Sequence, residues 1–297
     1  MNEWAGIVTY NPSIERLIEN LNAIAHQVER VILFDNCSNN LNSIEKILVN
    51  YENVNIIRSN ENIGLASALN RICQISFENN IEWIILLDQD TVCGNDFIKI
   101  YRKYEMLPQA AILCPIMFDK RRRIYIDKNN NDYEEVHECI QSGALYNVKI
   151  LDEVGYFDDW YFIDYIDYDY CMSIKRKGYK IFQISSLLID QEASTIEKNH
   201  FSQYLMKLAK ITKIQLFAKL SYRPIVGNLR SYYTARNRVY YIYKNKDMLN
   251  VKREIFRAHL ENFRNIIRVK DHMGTLKAIV KGVKDGNKKV RELGWKR

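Results

Sequence analysis

The sequence predicts an α/β fold, a mostly parallel central sheet with helices on both faces, followed by a helical C-terminal region. Two observations carry this. Short apolar runs alternate with helical patterns through the first two hundred residues, and after about Glu192 the pattern turns helical with few turn signals. The boundary falls near residue 200, giving a domain at 1–200 and a basic helical region at 201–297.

The first strand is expected at Ala5 to Tyr10, closed by Asn11-Pro12. Ser13 is the N-cap of a helix running to about Gln27, with Glu15 and Arg16 in its first turn. Val31 to Phe34 is the second strand and ends in Asp35-Asn36. Val54 to Ile57 is the third and leads through Asn60-Glu61-Asn62-Ile63-Gly64 to another helix. Trp83 to Leu87, the fourth, is apolar at every position, which suits a strand buried on both faces. The middle, Ala111 to Ile189, reads as short strands around a charged loop from Lys120 to Glu138. Helices are expected at about His200 to Leu220, Leu229 to Lys244, Val251 to Lys270 and Thr275 to Leu293. In parallel sheets ligands gather at the carboxyl ends of strands, and Thr9, Asp35, Asn62, Asp88 and Asp90 fall there.

Composition narrows the function. No apolar run approaches the roughly 20 residues that span a bilayer. The opening Met1-Asn2-Glu3-Trp4 carries no basic region followed by an apolar one, so no secretory signal is expected. Cys37, Cys73, Cys93, Cys114, Cys139 and Cys171 form no Cys-x-x-Cys pair and read as reduced thiols of a cytoplasmic protein. The net charge of +7 is uneven. From Lys244 onward there are 16 Lys and Arg against 6 Asp and Glu, and before it 27 against 30. The tail therefore suits an anionic surface. The P-loop, the Gly-x-Gly-x-x-Gly fingerprint, the Gly-x-Ser-x-Gly elbow and His-Glu-x-x-His are all missing, which removes support for the chemistries they serve.

Two acidic segments carry the chemistry. Asp88 and Asp90 stand two apart at a strand end, so strand alternation would point both the same way. Two hard oxygen donors there suit Mg2+ or Mn2+ together with donor phosphates; the plain alternative is an acidic turn. Farther on, Phe162-Ile163-Asp164-Tyr165-Ile166-Asp167-Tyr168-Asp169-Tyr170 crowds three carboxylates among aromatics. Such density suits a helix N-terminus, a cation, or a pocket that needs a base. Asp164 and Asp167, three apart, would share a helical face, with Asp169 pointing elsewhere; Gly178 would cap that helix.

In this order the motifs resemble a family 2 glycosyltransferase of the GT-A type, in particular its bacterial rhamnosyltransferase-like branch. Val8-Thr9-Tyr10-Asn11-Pro12 resembles the opening. Phe34-Asp35-Asn36-Cys37-Ser38 resembles the segment whose Asp pairs with the nucleotide base, and Asn60 through Ala66 to Asn70 resembles the Asn-x-Gly-x-Ala helix start. Asp88-Gln89-Asp90 sits where the metal motif belongs, Ser142-Gly143 resembles the substrate-contacting pair, and Arg236-Asn237 a late Arg-Asn. The match spans about residues 4 to 240.

The resemblance implies an inverting sugar transfer with Asp167 as base. Thr9, Asp35, Asn62, Gly64, Asp88 and Arg236 would serve the donor, Asp88 and Asp90 the metal, and Ser142, Gly143, Asp164 and Asp169 the substrate. It favours a dTDP-linked rhamnose donor, with a UDP-linked sugar as the other choice. The acceptor it implies is a glycan, polyprenyl-diphosphate-linked, at the inner face of the plasma membrane. Two positions depart from the family. Ser173 stands where an Arg is usual, and Gln191 where a metal-binding His often stands, so either Asp190, Gln191 or Glu192 supplies the third ligand or the metal relies on Asp90 and phosphate alone. Nucleotidyl transfer is the competing enzyme class, but Asn11-Pro12-Ser13 is no Gly-rich basic loop. Nucleic-acid binding is not expected, because the tail has few aromatics for stacking. From Val251 a helix would set Ile255, Phe256, Leu260, Phe263, Ile266 and Ile267 close to one apolar face among arginines, fit for an anionic membrane, for the protein's own body, or for a homodimer partner.

Overall fold

A computed structural model describes residues 3–118, 131–190, 196–198, 201–214, 217–218, 221–224 and 227–295. The chain forms two compact units. The described residues of 3–118, 131–162 and 166–190 make the first; 163–165 and the described residues from 196 onward make the second.

The first unit opens with β1 (Glu3–Thr9), α1 (Ile14–Ile24), β2 (Arg30–Asp35), α2 (Leu41–Leu48), β3 (Val54–Arg58), α3 (Leu65–Glu78) and β4 (Trp83–Asp88). It continues with α4 (Phe97–Tyr101), β5 (Ala110–Phe118), β6 (Tyr133–Glu135), β7 (Ala144–Asn147), α5 (Val148–Val154), α6 (Ile166–Arg176) and β8 (Lys180–Asp190). Eight strands form one sheet in the order β3-β2-β1-β4-β7-β5-β8-β6. β1 to β4 pair parallel, β5 pairs parallel with β8, and β7 and β6 run antiparallel to their neighbours.

Sequence accounts for this layering. β1 is buried along its whole length and β4 up to its last residue, as strands covered by helices on both faces must be. In α1 the Ser13 hydroxyl caps the first turn by accepting from the Arg16 N–H. Leu17, Leu21 and Ile24 then repeat at helical spacing and are fully buried. Each stabilises the fold by about 1.5–3 kcal/mol. The charged loop expected at Lys120 to Glu138 falls largely on residues outside those described.

Among the described residues the second unit contains a short antiparallel pair, β9 (Ile196–Lys198) with β10 (Tyr222–Pro224), and the helices α7 (Ser202–Thr212), α8 (Asn228–Lys244), α9 (Val251–Arg268) and α10 (His272–Glu292). Of the expected helix over His200 to Leu220, helix is described at Ser202–Thr212 and again at residues 217–218, and residues 215–216 and 219–220 lie outside those described. Asn250 caps α9 by accepting from the Arg253 N–H at 3.1 Å, and Asp271 caps α10 by accepting from the Gly274 N–H at 2.8 Å. α10 lies against α8 through Gly282 and Gly286, four apart. A Cβ on Gly286 would come within 2.5 Å of the Arg236 carbonyl, and one on Gly282 would strike the Tyr232 carbonyl. Only glycine permits that approach. Among the described residues no helix is long and apolar enough to cross a membrane.

Candidate active site

Thr9 and Asp35 end β1 and β2 in register with one another and are 0% and 1% exposed. A buried carboxylate is costly unless hydrogen-bonded. Here the Thr9 hydroxyl donates to Asp35 Oδ1 at 3.1 Å, and the Ser38 N–H donates to Oδ2 at 2.9 Å. Asp35 therefore fixes the loop that follows β2. Asn36 continues the lattice. Its Oδ1 accepts from the Ile63 N–H at 2.9 Å and its Nδ2 donates to Asn62 Oδ1 at 3.0 Å. Asn62 Oδ1 also accepts from the Gly64 N–H at 3.0 Å. Gly64 has φ +85°, and a Cβ there would lie 2.8 Å from the Phe162 ring. The absent side chain lets Leu65 N–H reach the Phe162 carbonyl at 2.7 Å. The start of α3 is thereby tied to the segment that leads into α6.

β4 ends at Asp88, and the chain turns, with Thr91 N–H donating to the Asp88 carbonyl at 3.1 Å. Strand alternation therefore does not set the relation between Asp88 and Asp90; a turn does. Three side chains grip its backbone. Asn20 Nδ2 donates to the Asp88 carbonyl at 2.7 Å, Arg16 Nε to the Asp90 carbonyl at 2.7 Å, and the Asp88 N–H donates to Ser142 Oγ at 2.9 Å. Ser142 also pairs with Thr91 Oγ1 at 2.6 Å. Gly143 N–H donates to the Leu86 carbonyl at 2.8 Å, and Tyr101 Oη donates to the Gly143 carbonyl at 2.7 Å. Ser142 and Gly143 thus brace the acidic turn. Gln89 Oε1 accepts from the Tyr10 N–H at 2.8 Å, joining that turn to the end of β1.

Two anchors fix the approach to the second acidic segment. Asn70, on the buried face of α3, donates to the Phe157 carbonyl at 2.7 Å and accepts from its N–H at 2.9 Å. Asn70 and Ser67 both donate to Asp159 Oδ1 at 2.9 Å. Asp164 and Tyr165 then take left-handed backbone, φ 64° and 69°, before α6 starts at Ile166. The shared helical face expected for Asp164 and Asp167 does not exist, because Asp164 precedes the helix. Asp167 and Asp169 stand in the first turn of α6, where the helix dipole favours a negative charge. Asp167 Oδ1 accepts from the Tyr168 N–H at 2.9 Å. Asp169 is 3% exposed and accepts from Tyr161 Oη at 3.2 Å.

Beneath Asp167, Cys139 and Cys171 bring their sulfurs within 3.8 Å in the buried interior. The contact with Cys139 and burial push the Cys171 thiol well up, and the Asp167 charge adds to this. Burial raises Tyr146 in the same way, again with a contribution from Asp167. These thiols and this phenol are therefore uncharged at neutral pH.

The second unit holds Asp164. Arg230 Nη2 donates to its Oδ1 at 2.9 Å and Thr234 Oγ1 to its Oδ2 at 2.6 Å. Asn237 Nδ2 donates to the Ile163 and Asp164 carbonyls at 2.6 and 3.0 Å. Arg236 is 9% exposed, donates from Nε to Asn237 Oδ1 at 2.9 Å and stacks over Tyr233, with 4.7 Å to the ring centroid. Burial lowers its pKa. In this unit the Arg-Asn pair fastens the backbone at 163–164.

Among the described residues no three His, Cys, Asp or Glu side chains gather into a metal site. Gln191 and Glu192, two of the three candidates for a further ligand, lie outside the described residues, and the Asp190 side chain is not described. Sequence reasoning gave no site role to Arg16, Asn20, Asn36 and Asn70, although Asn36 and Asn70 stand inside motifs that carry the resemblance. Asn20 and Asn70 had a legible signal: each interrupts the apolar face of an amphipathic helix.

A sheet of this order, with acidic strand ends and C-terminal helices, is a GT-A glycosyltransferase fold. The chain belongs to glycosyl transferase family 2, whose model matches residues 5–155, just over half of it. It is a glycosyltransferase. Over 272 residues it is 27% identical to the dTDP-rhamnosyl transferase RfbF of Shigella flexneri, covering 86% of this chain and 85% of that one. Its fold is similar to the mannosyltransferase PcManGT of Pyrobaculum calidifontis, solved with GDP-Man and Mn2+ (TM-score 0.58, 13% identity, 98% of this chain and 75% of that one). It is also similar to residues 1–349 of S. aureus TarS (TM-score 0.51, 15% identity, 99% and 92%).

Proposed function

We propose that this glycosyltransferase moves rhamnose from a dTDP-linked donor to a hydroxyl of a cell-surface glycan precursor, with inversion at the anomeric carbon. The observation that carries this reading is a set of braced loops at the carboxyl ends of β1, β2, β3 and β4. They gather Thr9, Asp35, Asn62, Gly64, Asp88 and Asp90, and hydrogen bonds tie them to the segment leading to Asp167. Likeness to a dTDP-rhamnosyl transferase supports the choice of donor.

The nucleotide would sit against the loop that Asp35 organises. Asp88 and Asp90 fit a divalent cation in chemistry, being hard, partly exposed oxygen donors on a turn whose backbone is gripped from three sides. Such an ion, Mg2+ or Mn2+, would supply positive charge for the diphosphate leaving group. Asp167 takes the proton of the acceptor hydroxyl. The acceptor oxygen then bonds to the anomeric carbon from the face opposite the breaking bond to the diphosphate oxygen, and the nucleoside diphosphate leaves. A lipid-linked acceptor fits the basic tail.

The test is a donor panel of dTDP-rhamnose, UDP-hexoses and UDP-galactofuranose with Mg2+ or Mn2+, read by nucleoside diphosphate release and thermal shift. dTDP-rhamnose should give the largest response. A clear preference for a UDP-linked sugar would overturn the donor assignment.

A further inference from the structure

We infer that the second unit docks on an anionic phospholipid surface through the exposed apolar stripes of α9 and α7. On α9, Phe256, Leu260, Phe263 and Ile267 follow at intervals of four, three and four, which lines them up on one side of the helix. They are 63%, 47%, 62% and 57% exposed. Ile255 and Ile266, expected on the same face, are half-buried with Val251 and Ala258 on the side packed into the unit. The helix therefore has two apolar sides, and packing covers one of them.

Charge decides what covers the other. At helical spacing Lys252, Arg253 and Arg264 border the exposed stripe, with Arg257 next to them. The helix's two acids, Glu254 and Glu261, point away from the stripe; Glu261 pairs with the buried Arg238, and Glu254 with Arg257 at 2.8 Å and Arg238 at 3.9 Å. A second copy meeting this face about a two-fold axis would set arginine against arginine, and nothing acidic on the stripe would relieve it. An anionic lipid surface takes both the apolar side chains and the basic border.

A second helix repeats the pattern. On α7, Tyr204, Leu208 and Ile211 are exposed at intervals of four and three, with Phe201 just before the helix. Residues 201–214 contain Lys207, Lys210 and Lys213 and no acid. Two amphipathic helices far apart in sequence thus present aromatic and aliphatic side chains with basic residues beside them. Neither is apolar enough to span a bilayer, so each would lie in the headgroup region.

This inference does not depend on the sugar-transfer reading and is tested without donor or acceptor. The full chain is floated with vesicles of phosphatidylcholine alone and with vesicles about one third phosphatidylglycerol. Binding to the anionic vesicles should be on the order of tenfold tighter and should fall with salt. Phe256→Ser with Phe263→Ser should weaken it by on the order of tenfold or more, as should Arg253→Gln with Arg264→Gln. Because these side chains are exposed, the melting temperature should not move, which shows that the variants are folded. Equal binding to both vesicles, or none to either, would overturn the inference. So would a dimer in light scattering that the serine variant splits while vesicle binding stays absent.

Discussion

The two acidic segments look alike in sequence, yet the fold handles them in opposite ways. At Asp88-Gln89-Asp90 the backbone is what neighbours grip, through Arg16, Asn20 and Ser142. At 164–169 the side chains themselves are engaged and divided. Asp164 goes to Arg230 and Thr234, Asp169 to Tyr161, and Asp167 stays in the first turn of α6 beside uncharged thiols and a tyrosine. Gripping a backbone fixes a turn; holding side chains sets three neighbouring carboxylates in three different environments. The proposed function gives donor binding to the first segment and proton transfer to the second.

The sharpest way to break this division is Asp167→Asn, which keeps shape and removes basicity. Turnover should fall ~10²–10⁴-fold. Asp169→Asn, which keeps a partner for Tyr161, should be milder. If Asp169→Asn collapsed turnover while Asp167→Asn did not, the base would move to Asp169. Next in size is Gly64→Val. A β-branched residue at φ +85° that also meets Phe162 should cost about 1–3 kcal/mol, read as a lower denaturation midpoint. Loss of donor affinity should accompany it, because Gly64 ties the loop that follows β3 to the segment leading into α6.

Arg230→Ala tests whether Asp164 is structural. The ion pair is half-exposed on the arginine side, so its loss should cost about 1 kcal/mol and change turnover only a few-fold. A turnover loss matching that of Asp167→Asn would show that Asp164 serves the reaction. The smallest effect concerns Glu105, which lies in neither segment. Burial first, then Glu3 and Glu82, raises its carboxyl from 4.5 to about 7. The folded protein thus holds a proton that the unfolded chain releases above pH 4.5. Stability from this source is complete below that pH and declines as pH rises to about 7. Glu105→Gln should flatten this slope and raise stability above pH 7, by about 1 kcal/mol once partial exposure is allowed for.

Much of the first unit was legible because its parallel strands are buried on both faces and read as unbroken apolar runs. Trp83 to Leu87 is the clearest, and Ser13 declared the start of α1. What sequence periodicity does not carry is where it stops. Asp90 sits past the end of β4, so the alternation argument applied a strand rule to a turn. Asp164 sits before α6 in left-handed backbone, so a helix rule was applied to a loop. Partners far apart in sequence were equally hidden. Nothing near Asp164 announces Arg230, and Asn237 fastens the 163–164 backbone from a helix more than seventy positions on.

The division of labour is tested most directly by donor-binding calorimetry on the wild type, Asp90→Ala and Asp167→Asn, with Mn2+ and with chelator. The wild type and Asp167→Asn should bind dTDP-rhamnose with similar affinity in Mn2+, and both should lose it in chelator. Asp90→Ala should show no metal-dependent binding. Unchanged donor affinity in chelator, or a metal response that survives in Asp90→Ala and disappears in Asp167→Asn, would contradict the assignment of the two segments.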